Sequence, residues 1–240
     1  MAEQTGDVFW AHLEELRKRL IFCILTVSVL AVACYFFSSE ILSFLTRPLS
    51  SISQKAYFLS PYDAFVVKLQ ISFWTAVFLA SPLLLTEVWL FIAPGLYEKE
   101  KRFFSIFLLT SIVLFLIGLS LGVFFVVPAT LNFFLAFSTP ELQPLISIDK
   151  YLSMVAWMAL AFGLASETPI FLVGLVRFKV LSLDQLKSMR KYVIVGIFVF
   201  AAVVTPSPDP FSQCLLAIPL WLLFELSLIA TRFLERSKLR

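Results

Sequence analysis

His12-Leu-Glu-Glu-Leu-Arg-Lys-Arg-Leu20 runs without a break into an uncharged apolar stretch, Leu20 to Phe37. Read as a helix, Leu13, Leu16 and Leu20 fall on one face at spacings of three and four. Glu15 and Arg19 stand one turn apart, a pairing that supports a helix by roughly 0.2–0.5 kcal/mol. The triplet Arg17, Lys18 and Arg19 stops at the apolar boundary. Positive charge at that place starts a membrane helix in the cytoplasm, and the first span orients those that follow.

Working outward, the composition excludes a soluble domain. Of the 240 residues, 60% are hydrophobic and 27 are Phe. A hydrocarbon core about 30 Å thick needs about 20 apolar residues per crossing helix. The expected spans are about 20–37, 65–93, 103–127, 151–176, 192–205 and 213–231, within one domain covering 1–240. Span three is expected to end before Pro128. The fifth, about 14 residues or roughly 21 Å long, and the sixth, interrupted by Pro219 and Glu225, are the short ones. The apolar run beginning at Leu20 is too long for a cleaved signal and continues past Cys34. Cys23, Cys34 and Cys214 form no C-x-x-C and read as small apolar side chains.

Charge places the connectors. Fifteen of the nineteen lysines and arginines lie in the N-terminus, the 93–102 and 177–191 connectors and the tail. Arg47, Lys55, Lys68 and Lys150 lie on the other side. The expectation is therefore an all-α integral membrane protein with six transmembrane helices and both termini cytoplasmic. Ser182-Leu-Asp-Gln185 carries a helix-start signal inside the second basic connector.

Enzymatic chemistry is not expected. One histidine and no H-E-x-x-H leave no paired-histidine metal site. No phosphate-binding G-x-x-x-x-G-K-[ST] loop occurs, so the chain is no nucleotide-driven motor. No cofactor, metal or nucleic acid is expected. What stands out is carboxylates in apolar surroundings. Glu167 lies roughly 15 Å inside the cytoplasmic boundary by helical rise, where a charge costs about 2.5–3.5 kcal/mol on insertion scales. It reads either as a protonated, hydrogen-bonded member of the bundle or as a polar spot on a groove that receives another helix. Glu87 and Glu225, each about 10 Å from the cytoplasmic edge, can reach it. Glu15 and Glu100 are interfacial, among basic neighbours. They read either as screened surface pairs or as acceptors for two guanidinium forks from a ligand.

Four further stretches follow the opening one in order. These are Phe91-Ile-Ala-Pro-Gly-Leu-Tyr-Glu-Lys-Glu-Lys-Arg102, Phe162-Gly-Leu-Ala-Ser-Glu-Thr-Pro169, Arg190-Lys-Tyr192, and Asp209-Pro-Phe-Ser-Gln213 leading to Pro219. With these five motifs, nearly the whole chain resembles the TatC family, the polytopic subunit of twin-arginine protein translocases. The resemblance implies a concave groove, no enzymatic activity, and a receptor for twin-arginine signal peptides of folded cargo. It implies transport driven by the proton-motive force together with single-span TatA and TatB type subunits. A homo-oligomer within the complex is also implied, in a bacterial-type inner membrane or an organelle membrane of bacterial origin. By position, Glu15, Glu100, Arg17 and Leu20 match signal-binding residues, and Glu167 matches the polar residue of the concave face. Gln213 matches a partner-helix region, Pro48 an external-loop proline, and Asp209 the turn before the last span.

Two features depart from the family pattern. Ser166 stands where similar members carry a bulky aromatic, and the turn Thr205-Pro-Ser-Pro-Asp209 is one residue longer than the short form. The competing readings are a proton-coupled small-solute transporter using Glu167 and a membrane scaffold. The first should show repeated halves, and no such repeat occurs.

Overall fold

In the computed structural model, residues 2–47, 49, 56–92, 98–139, 141, 143–177, 180–205 and 210–238 are described. Of helical residues 2–9, 11, 98–104, 230 and 233–238 only the backbone is described. Among the described residues the protein is all-α apart from one two-residue ladder. In lipid every backbone N–H and C=O must find an internal partner, and helices supply it locally. Among the described residues, five helical segments are long and apolar enough to cross a bilayer: His12–Phe36, Asp63–Ile92, Ser105–Leu135, Ile148–Arg177 and Pro210–Ile229.

Contacts divide the chain into two units, Met1–Gln54 with Phe58–Ile112, and Lys55–Tyr57 with Val113–Arg240. The first unit holds α1 (Ala2–Phe36), α2 (Ser38–Leu45), α3 (Asp63–Ile92) and the beginning of α4 (Glu98–Leu121). The charged opening stretch and the apolar run are one helix. α3 packs along α1. At the start of α3, Asp63 Oδ2 accepts the backbone N–H groups of Leu59 and Ser60, both at 2.9 Å. Pro82 sits inside α3, and the Thr86 hydroxyl donates to its carbonyl at 2.7 Å. A buried hydrogen bond ties α3 to α4, with Trp89 Nε1 donating to Ser111 Oγ at 3.0 Å.

In the second unit, α4 passes through a π-helical turn (Gly122–Val126) into α5 (Val127–Leu135). The expectation that this span ends before Pro128 is corrected here. Pro128 occupies the first turn of α5, where a missing N–H is tolerated because the preceding turn does not require it. β1 (Ala56–Tyr57) pairs in parallel with β2 (Ile146–Ser147), a link the sequence reading did not contain. α6 (Ile148–Ala165) and α7 (Thr168–Arg177) divide the fourth apolar stretch. The break at Ser166 and Glu167 follows from Pro169, since residues before a proline resist helical torsions and proline suits a first turn.

Small residues bring α4 and α6 together. A Cβ on Gly118 would overlap the Ser166 hydroxyl and the Phe162 carbonyl, and would lie 2.7 Å from Ser166 Cβ. One on Gly122 would lie 2.8 Å from the Met158 carbonyl. Membrane helices, lacking a hydrophobic drive between them, gain dispersion contact through such close approach.

α8 (Leu183–Ser188), α9 (Arg190–Val204) and α10 (Pro210–Lys238) complete the chain. Ser182 Oγ accepts the Gln185 N–H at 3.2 Å while Gln185 Oε1 accepts the Ser182 N–H at 2.8 Å. That is the reciprocal cap expected from the sequence. Leu186, Phe224 and Leu228 form a buried cluster with Leu172, Val176 and Val193 around it. α9, the source of the expected fifth crossing, has 15 residues, or about 22 Å of helix.

Candidate functional site

The opening stretch forms a site with the end of α3. Glu15, one turn before Arg19, accepts Arg19 Nε at 3.1 Å and one terminal guanidinium nitrogen at 2.7 Å, both on Oε1. This is the local pair that the spacing predicts. Arg19 does more, for its other terminal nitrogen donates to Glu87 Oε2 on α3 at 2.6 Å. His12 stacks on Phe91 of α3 with ring centroids 4.3 Å apart, and its Nδ1 lies 3.9 Å from Glu15 Oε2. Two contacts one to two turns apart therefore hold the charged part of α1 on the end of α3.

Burial orders these groups. The side chains of Arg19, Glu15 and Glu87 are 23%, 35% and 18% exposed. Charge-assisted hydrogen bonds in such partly dry surroundings are shorter and about twice as strong as neutral ones. Arg17 is exposed, as are Leu13, Leu16 and Leu20, the last at 57%. On the solvent side, Lys18 pairs with Glu14 at 3.0 Å, a surface bridge worth about 0–1 kcal/mol.

Glu87 was expected to be able to reach the cytoplasmic edge; it is bound to Arg19. Glu225 is similar, accepting from Arg190 at 2.9 Å. Neither pair has a local signal, because its partners are 68 and 35 positions apart.

The remaining predicted residues are not all in one place. Glu100 lies in the first turn of α4, where only its backbone is described. Pro48 and Asp209 lie outside the described residues. Glu167 is half-buried at the turn between α6 and α7, its N–H donating to the Leu164 carbonyl at 3.1 Å. Its neighbour Ser166 is buried against Gly118. Gln213 lies in the first turn of α10 and is half-buried.

The family model described as "Sec-independent protein translocase protein (TatC)" matches residues 11–219. The chain belongs to the TatC family. A TatC relative from Magnetococcus marinus is 41% identical over 230 residues, covering 95% of this chain and 84% of the relative. A chloroplastic relative from Arabidopsis thaliana is 37% identical, covering 87% of this chain and 62% of its own length. A crystal structure described as the twin arginine translocase receptor TatC is similar with a TM-score of 0.83 at 38% identity. That likeness covers 92% of this chain and 98% of the other. As a TatC family member the chain is a multi-pass membrane protein and a core component of a Tat translocase, a transport component and not an enzyme.

Proposed function

We propose that this chain is the signal-peptide receptor of its translocase, with Glu15 and Glu100 at the cytoplasmic face receiving the paired arginines of a signal peptide. The observation that carries the reading is Glu15 itself, whose carboxylate already holds a guanidinium in a partly dry setting. A group that accepts one arginine fork offers the chemistry to accept another, with a planarity that lysine does not match. Arg17 and Leu20, exposed on the same helix, flank the docked peptide. The peptide's apolar segment then lies along a groove containing Glu167, gaining roughly 25 cal/mol per Å² of apolar surface buried.

In this reading both termini are cytoplasmic, the concentration of basic residues at connectors and tail being the support. Single-span TatA and TatB type subunits join at the start of α10 near Gln213. Pro48 and Asp209 shape the loops that set the spans, several copies of the chain assemble, and the proton-motive force drives the transport of folded cargo.

The test is binding of a labelled peptide carrying Arg-Arg, against its Lys-Lys version, to the chain in lipid nanodiscs. Selective binding of the arginine form, lost in Glu15→Gln combined with Glu100→Gln, supports the receptor. Equal binding of both forms, or none, overturns it.

A further inference from the structure

We propose that Arg19 is a resident guanidinium that occupies Glu15 until a ligand arginine takes its place, and that Glu87 retains Arg19 through the exchange. The proposal rests on the reading of Glu15 as a signal-peptide contact. Its own ground is the geometry of the three side chains.

Arg19 spends two of its nitrogens on a single oxygen of Glu15 and a third on Glu87. Two carboxylates thus share one guanidinium, leaving a formal excess of one negative charge that one incoming arginine neutralises. Glu15 Oε2 takes no hydrogen bond from Arg19. His12 Nδ1 lies 3.9 Å from it. An incoming fork has this oxygen to engage first.

An arginine released here with no partner would carry a partly buried, unpaired charge, which is costly. Glu87 removes that cost because it already holds one nitrogen of Arg19 from a second helix. What leaves Glu15 is a planar group making two hydrogen bonds, and an arginine replaces it in kind. A lysine offers a compact, strongly hydrated ammonium without the fork. Displacing Arg19 costs the same whichever cation arrives, so Arg19 lowers both affinities and the preference for arginine over lysine rests on the Glu15 carboxylate.

The experiment measures affinities of Arg-Arg and Lys-Lys peptides for the full chain in nanodiscs. Removing the resident group with Arg19→Gln is expected to tighten binding of both peptides about tenfold, the scale of a charge-assisted hydrogen bond. Glu87→Gln is expected to weaken Arg-Arg binding about tenfold, and adding Arg19→Gln to it should restore binding, since no displaced arginine then needs holding. That rescue separates the proposal from simple misfolding of Glu87→Gln. No tightening in Arg19→Gln, or no rescue in the double variant, overturns the exchange. Intact Arg-Arg binding in Glu15→Gln overturns the receptor reading and the exchange with it. Loss there alongside no tightening in Arg19→Gln sinks the exchange alone.

Discussion

Arg190 on α9 donates to Glu225 on α10 at 2.9 Å, joining the short helix to the last one close to the buried cluster of Leu186, Phe224 and Leu228. Removing either partner leaves the other charge at a membrane boundary. Glu225→Gln and Arg190→Gln should each lower stability by about 1–3 kcal/mol. The double variant should lose less than the sum, because the two side chains interact directly. Thermal unfolding of the four forms in one lipid composition checks this, and strict additivity would show that the pair contributes nothing.

Gly118 and Gly196 are both helical glycines with opposite surroundings. A Cβ on Gly118 meets Ser166 and Phe162, whereas one on Gly196 meets nothing within 4 Å. Gly118→Ala should therefore destabilise by about 1–3 kcal/mol through overpacking between α4 and α6. Gly196→Ala should stabilise by roughly 0.5–1 kcal/mol through helix propensity alone. Melting temperatures moving in the same direction for both would refute the close approach of the two helices.

The Trp89–Ser111 hydrogen bond is buried. Trp89→Phe keeps most of the ring but leaves the Ser111 hydroxyl without that donor, at a cost of about 1–3 kcal/mol. Ser111→Ala added to Trp89→Phe should recover part of the loss, since both polar groups are then gone. The shift in denaturation midpoint of the three variants decides it.

Ser182→Ala removes one half of the reciprocal cap on α8 and should cost about 0.5–2 kcal/mol. Faster amide exchange confined to residues 183–188 is the readout. In the same helix the Lys187 ammonium, hydrogen-bonded to Asp184 at 2.7 Å, holds the Asp184 carboxyl below its ordinary value. A depressed carboxylate favours the fold above its unfolded pKa, and that contribution is lost as pH falls through the folded value. Lys187→Gln should move the Asp184 titration upward, and an unmoved midpoint would exclude the pairing in solution.

The apolar runs, the basic collar at Arg17–Arg19, the i to i+4 pairing of Glu15 with Arg19 and the Ser182 cap were legible in the chain. Each is a local property, set by composition or by partners within one helical turn, and a single sequence carries it fully. The break at Ser166 and Glu167 was half legible, since Pro169 marks it but not its place. Continuation through Pro128 was not, because whether a proline ends a helix depends on the turn before it.

What only the tertiary structure decided is who meets whom across helices. Glu87 received Arg19, Glu225 received Arg190, Trp89 received Ser111, and Gly118 received Ser166. The sequence determined a multi-spanning helical protein because hydrocarbon leaves the polar backbone of an apolar segment few alternatives. It did not determine these pairs, because the free energy of a charge or a small side chain inside a bundle depends on the depth and rotation of a neighbour many residues away.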